Sequence, residues 1–354
     1  MTVFERIRHR NRSASRELND AIYCVDLHTG GEPLRVILDG FPEPEGASVL
    51  ERRRFCQEHL DHFRKALIWE PRGHADMYGC LLVPPNDEGA DFGVIFIHNE
   101  GYSTMCGHAT IALTKLAAVQ NWKERDPVSG NLKLSIDAPC GRITSELKKD
   151  GDPAFPIEFL GVPSFVVAID QQVSLPGHGD VFYDIAYGGA FYAYVQAAQL
   201  GLELGPENYR QIIDLGIALK KQIATASRHL INHPFESDLS FLYGIIFIDR
   251  SDAAGVNSRN VCVFADGEVD RCPTGSGASG RVAIYHAKNE LTVGKTMTIE
   301  SIIGSRFQAS VERLENYGPF EAVIPRIAGN AHVTGEHNFV LSSEDPYRHG
   351  FFLR

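Results

Sequence analysis

Long apolar runs are missing from this chain. None approaches the roughly 18–20 residues that a membrane-spanning helix needs. No Cys-x-x-Cys pair occurs either. The seven cysteines, Cys24, Cys56, Cys80, Cys106, Cys140, Cys262 and Cys272, are scattered and odd in number. That pattern suggests neither a disulfide framework nor a zinc site, and it favours a reducing compartment. Positive charge is in deficit: the formal net charge is -11, which argues against nucleic acid or an anionic membrane surface as the main partner. The N-terminus lacks an apolar segment of the secretory kind. Its Arg6, Arg8, Arg10, Arg12 and Arg16 make it faintly like a mitochondrial presequence, which Glu5, Glu17 and Asp20 spoil. Residues 1–19 are expected to form a flexible, solvated arm. The cytoplasm is the expected location, with the mitochondrion as the alternative.

What is present is the composition of a soluble globular protein, 44% hydrophobic and 22% charged, in 354 residues that suffice for two domains. Apolar runs predict strands over residues 34–38, 80–83, 93–97, 132–136, 143–147, 157–160, 242–248, 261–265, 297–302, 307–311 and 321–325. Helical patterns cover 48–67, with Leu50, Phe55, Leu60, Phe63 and Leu67 on one side, and also 108–120, 206–230 and 275–291. His59 and His62 near Asp61 lack a further partner at ligand spacing and read as a solvated face.

The chain repeats itself. Asp26-x-x-x-Gly30-Gly31 corresponds to Asp184-x-x-x-Gly188-Gly189, and in both halves an apolar strand runs into a short motif that opens a helix. In the first motif, Ser103-Thr104-Met105-Cys106-Gly107-His108, the residue before the helix-opening glycine is Cys106. In the second, Asp270-Arg271-Cys272-Pro273-Thr274-Gly275-Ser276-Gly277, it is Thr274. The shared order of elements points to an internal duplication.

Two helix N-termini aimed at one ligand would make a carboxylate cradle, because each presents unpaired N–H groups and partial positive charge. Cys106 at such a terminus would be favoured as a thiolate and could act as a base at the Cα of a bound amino acid. The same donors would stabilise the developing enolate, as an oxyanion hole does. Asp270 could bind the cationic nitrogen, and His108 could touch the carboxylate or act as an acid. Gly275-Ser276-Gly277 is a weak phosphate-loop candidate, lacking a GxGxxG pattern.

Met105-Cys106-Gly107-His108 and Asp270 to Gly277 resemble the two signature blocks of the proline racemase family. Asp26 to Pro33, Glu70 to Gly79 and Asp184 to Tyr192 resemble it too, and the likeness runs from about residue 20 to the end. It implies an α+β fold of the diaminopimelate epimerase kind: two pseudo-symmetric domains, each a curved sheet around a central helix, with the active site in the cleft between them. The expected division is 20–163 plus 330–354, carrying Cys106, and 164–329, carrying Thr274. The resemblance further implies chemistry at Cα without pyridoxal, another cofactor or a metal. Carried over by position, Cys106 is the catalytic base, and Gly107, His108, Asp270, Thr274, Gly275 and Ser276 bind an imino-acid substrate. A homodimer is a further expectation.

Racemases of the family carry a second Cys where this chain has Thr274, and a hydroxyl is too weak an acid and base to replace a thiol near neutral pH. This Cys-to-Thr pattern resembles the branch that dehydrates trans-3-hydroxy-L-proline to Δ1-pyrroline-2-carboxylate. In the trans isomer the 3-hydroxyl shares a ring face with the Cα hydrogen, so loss of water is syn and one base can serve it. Cys272 reads as a packed small residue. Two other expectations compete: a proline racemase or 4-hydroxyproline epimerase, and a non-catalytic binding protein of the same fold.

Overall fold

The computed structural model describes the backbone of residues 1–15 and the whole of 21–353. The chain divides into two compact units, Met1–Ile157 with Asn330–Arg354, and Glu158–Gly329. It passes from one to the other within a short strand, a few residues before the boundary expected after residue 163. Within the arm expected to be flexible, Val3–Ser15 form a helix (α1) whose Val3 and Ile7 are buried. The rest of that arm lies outside the described residues. No helix among the described residues is long and apolar enough to cross a membrane.

In the first unit, β1 (Ala21–Thr29) turns at Gly30-Gly31 into the antiparallel β2 (Glu32–Asp39). A helical crossover comes next, made of α2 (Val49–Phe55), a π-helical turn (Cys56–Leu60) and α3 (Asp61–Ile68). It leads to β3 (Tyr78–Val83), parallel to β2, and β3 pairs with β4 (Phe92–His98). After β5 (Tyr102–Ser103) comes the central helix α4 (Gly107–Val119). Then β6 (Leu132–Ala138) runs parallel to β4 and pairs with β7 (Gly141–Leu147). The chain leaves through β8 (Ile157–Leu160).

The second unit repeats this order. β9 (Ser164–Leu175) pairs with β10 (Gly179–Tyr187), which turns into the antiparallel β11 (Phe191–Gln196). The crossover helix α5 (Tyr209–Ala226) leads to β12 (Leu242–Asp249), parallel to β11, and then to β13 (Ser258–Phe264) and β14 (Glu268–Val269). The central helix α6 (Gly275–Ala287) follows, then β15 (Thr296–Glu300), parallel to β13, then β16 (Arg306–Tyr317) and β17 (Phe320–Gly329). Ala322 and Val323 of β17 pair with Phe165 and Ser164 of β9, so the sheet of this unit closes on itself. The last strand, β18 (Ala331–Val340), returns to the first unit and pairs with β1.

Both central helices are thirteen residues long. α4 is apolar on nearly every side, a composition that suits a helix surrounded by protein. It packs on β1, β2, β6, β7 and β18, while α6 packs on β9, β10, β11, β16 and β17. This is the α+β architecture of a curved sheet around a helix, built twice.

The 48–67 helix departs from its expected phase. Ser48 caps it through a reciprocal bond pair with Glu51. The π-helical turn then adds a residue to one turn and rotates the remainder of the helix. Val49, Arg53, Cys56, Arg64, Leu67 and Ile68 therefore face inward, whereas Leu50, Phe55, Leu60 and Phe63 are only half-buried. Arg53 and Arg64 are buried because their guanidinium groups bind the carbonyls of Tyr102 and of His98 and Asn99.

Candidate active site

Each central helix begins at a turn that carries the candidate residues of its own unit. At the start of α4, Cys106 is the N-cap residue with extended backbone (φ -144°). Its Sγ accepts the Ala109 N–H at 3.3 Å, so the sulfur faces the positive end of the helix. That bond favours the thiolate over the thiol. The amides of Gly107 and His108 precede the helix's own hydrogen-bond ladder and are available to a ligand.

His108 is buried, and its ring lies beside the thiol, with Nδ1 at 3.2 Å from Sγ. One ring N–H donates to the Pro33 carbonyl, and Nε2 lies 3.5 Å from the same sulfur. Burial pushes the imidazole pKa down to about 3, so the ring is neutral at physiological pH. Thr29 Oγ1 donates to the His108 carbonyl at 2.8 Å, and Tyr78 meets the ring edge-on at 4.8 Å between centroids. The β1–β2 hairpin, with Gly30 at φ 57° and Gly31 at φ 89°, thus braces the helix terminus from below.

The second turn has the same place in its unit but different chemistry. Thr274 precedes Gly275 with φ 64°, in the left-handed region that a β-branched residue rarely occupies. Its side chain caps nothing in α6. Instead Oγ1 donates to Asp270 Oδ2 at 2.5 Å. Asp270 is buried, and its amide is held by the Cys262 carbonyl at 3.2 Å. Ser276 Oγ bonds to the hydroxyl of the fully buried Tyr192 at 2.8 Å, and Tyr194 donates to the Gly277 carbonyl at 2.8 Å. The β10–β11 hairpin presses directly on this turn: a Cβ on Gly188 would stand 2.2 Å from the Ser276 carbonyl oxygen. Only glycine fits there. Cys272 is buried.

The structure thus brings Cys106, Gly107 and His108 together at one helix terminus and Asp270, Thr274, Gly275 and Ser276 at another. The paired aspartates of the repeat do not join either turn as reacting groups. Asp26 is held by Arg35 through two bonds, and Asp184 by Lys288 at 2.7 Å. The Glu70–Gly79 motif is explained by docking of the C-terminal segment. Arg72 pairs with Asp345 at 2.7 Å, and Phe351 N–H donates to the Glu70 carbonyl. His59 and His62 are exposed on their helix, as a solvated face requires. The contacts of Tyr192, Tyr78 and Thr29 are not legible in the sequence, where each stands inside a recognisable motif without a nearby partner.

The profile of the proline racemase family matches residues 24–352. A trans-3-hydroxy-L-proline dehydratase of Colwellia psychrerythraea is 48% identical, the match covering 94% of this chain and 93% of that protein. A human protein of the same name is 45% identical over 93% of this chain and 94% of its own. A hydroxyproline epimerase from Agrobacterium vitis, solved with trans-4-hydroxy-L-proline bound, superposes with a TM-score of 0.87 at 29% identity, covering 95% of each chain. This chain belongs to the proline racemase family.

Proposed function

We infer that the protein is a hydro-lyase that dehydrates trans-3-hydroxy-L-proline to Δ1-pyrroline-2-carboxylate. The observation that carries this reading is the second turn, where a hydroxyl bonded to Asp270 stands in the place of a second thiol. The names of the relatives at 48% and 45% identity support it.

Cys106 thiolate removes the Cα proton, and first-turn amides of Gly107, His108, Gly275 and Ser276 hold the carboxylate as it gains enolate charge. The C3–O bond then breaks, the electron pair leaving with oxygen. The hydroxide takes the proton that Cys106 has just accepted, giving water and regenerating the thiolate. The enamine tautomerises to the ketimine. Neutral His108, with a pKa of about 3, has no readily released proton at physiological pH and serves to orient the thiol. Asp270 binds the ring nitrogen, and Thr274 holds the Asp270 carboxylate in place through its own O–H.

Product analysis in deuterated water tests the reading. Dehydration yields the ketimine from trans-3-hydroxy-L-proline and leaves L-proline uninverted; accumulation of deuterated D-proline would instead identify a racemase. The proposal extends to a homodimer, measured by light scattering, and to a reducing compartment, which suits seven buried cysteines.

A further inference from the structure

The two units build the same elements around α4 and α6, so their equivalent core positions can be compared. Phe92 of β4 pairs in parallel with Ile136 as Ser258 of β13 pairs with Ile299. The β3–β4 ladder joins Tyr78 to His98 as the β12–β13 ladder joins Gly244 to Phe264. Both registers make Val94 the equivalent of Asn260. Aligning the first helical residues, Gly107 and Gly275, makes Leu113 the equivalent of Arg281. All four residues are fully buried. An apolar pair therefore satisfies this architecture in one unit, while the other buries a guanidinium and an amide at the same place.

That cation is poorly compensated. Arg281 Nη1 donates to Asn260 Oδ1, Nη2 donates to the Tyr285 hydroxyl at 2.6 Å, and the guanidinium lies 4.9 Å from the Tyr285 ring centroid. Among the described residues no carboxylate pairs with it. Glu290, Tyr285 and Tyr194 act on it electrostatically, and neither Arg281 Nε nor Asn260 Nδ2 has a hydrogen-bond partner. Burial lowers the guanidinium pKa, yet arginine keeps its charge at neutral pH. Burying such a group without a carboxylate in direct contact is unfavourable for folding alone. Arg281 lies on the order of 9 Å along the helix from Gly275, at about 1.5 Å per residue, with protein between them that screens little.

We propose that Arg281 is an electrostatic residue of the second turn, a buried cation that favours the build-up of negative charge at the Thr274–Gly275–Ser276 helix terminus during proton abstraction. The inference rests on the dehydratase reading for the identity of the substrate. The substrate enters as a zwitterion of zero net charge, so a remote cation affects its binding little. Charge grows on the carboxylate end only as the Cα proton leaves, so the cation acts on turnover.

Two variants cancel the charge by different means. Asn260→Asp supplies a carboxylate beside the guanidinium with little change of volume, and Arg281→Leu with Asn260→Val imports the pair found in the other unit. Both are expected to fold, with kcat lowered about five- to tenfold and KM within about twofold. The dissociation constant for L-proline, by calorimetry, should stay within the same margin. Wild-type product, read in the same assay, tests the dehydratase reading separately; were that reading to fail, the variant-to-wild-type ratio of Cα proton release to solvent would still be measured. Folded variants with kcat within twofold of wild type would overturn the proposal. So would a rise in KM accompanied by a lowered melting temperature, or failure of both variants to fold, since either result assigns the pair to packing.

Discussion

The starts of α4 and α6 occupy equivalent places in their units and differ in where one side chain points. Cys106 has extended backbone, and its sulfur turns inward to the helix amides. Thr274 is left-handed, and its oxygen turns away from the helix to Asp270. The same helix-terminal field is therefore occupied by a side-chain sulfur in one unit and by no capping side chain in the other. An atom that is to act as a base is best placed in the field. A hydroxyl is too weak an acid and base near neutral pH to take a thiol's part, and it serves better as a clamp on a carboxylate. On the dehydratase reading proposed above, this difference leaves one thiol to remove the proton and none at the second turn to return it.

Breaking the reactive side should have the largest effect. Cys106→Ser is expected to lower kcat for trans-3-hydroxy-L-proline by a factor of at least about 10³, because a hydroxyl at the same position remains protonated at neutral pH. Near-full activity in steady-state assays of that variant would remove Cys106 from the mechanism.

Breaking the support of the other turn comes next. Gly188→Ala places a Cβ in the Ser276 carbonyl and 2.5 Å from the Gly280 amide nitrogen. Denaturant unfolding should show a loss of about 3 kcal/mol or more. Gly201→Ala, at φ 57° with nothing near its Cβ, should cost only about 1 kcal/mol in the same measurement.

Thr274 variants sharpen the comparison most directly. Thr274→Val removes the bond to Asp270 and should raise KM about tenfold, with Thr274→Ser restoring most of it. Thr274→Cys should slow dehydration and permit solvent-labelled D-proline to form. Equal KM values for the Val and Ser variants would dissociate Thr274 from Asp270.

The smallest effect expected is on pH dependence. Folded His108 has a pKa of about 3 and folded His233, in the second unit, about 4, both lowered by burial from the ordinary value of 6.5. Between those values and 6.5 the unfolded chain binds more protons than the folded one, so stability falls as pH drops through that window. His108→Gln and His233→Gln should each flatten the decline in melting temperature between about pH 6.5 and about pH 5. Unchanged slopes in both would place the acid sensitivity elsewhere.

Much of the fold is legible because its strands are apolar runs between turn residues, as in Phe92–His98 and Leu242–Asp249, buried on both faces. The last strand, Ala331–Val340, escapes that reading. Apart from Ala331 its side chains are half-buried or exposed, and its strand character comes from pairing with β1. α1 escapes it for a related reason, since its Arg-rich composition hides the buried Val3 and Ile7. The inward arginines of α2 and α3 result from a π-helical turn that no apolar periodicity announces.

By itself the sequence determined the duplicated order of elements, the family and the Cys106–Thr274 difference, because these reside in local motifs and residue identity. Tertiary structure decided what those residues do. The neutral ring of His108 follows from burial, which outweighs the bond to Pro33, and the Thr274 hydroxyl is aimed by a left-handed backbone. Ser276 is held by Tyr192, and Arg281 is buried where its counterpart is leucine. Protonation, orientation and field depend on desolvation and on partners far along the chain, and only the packed fold supplies those.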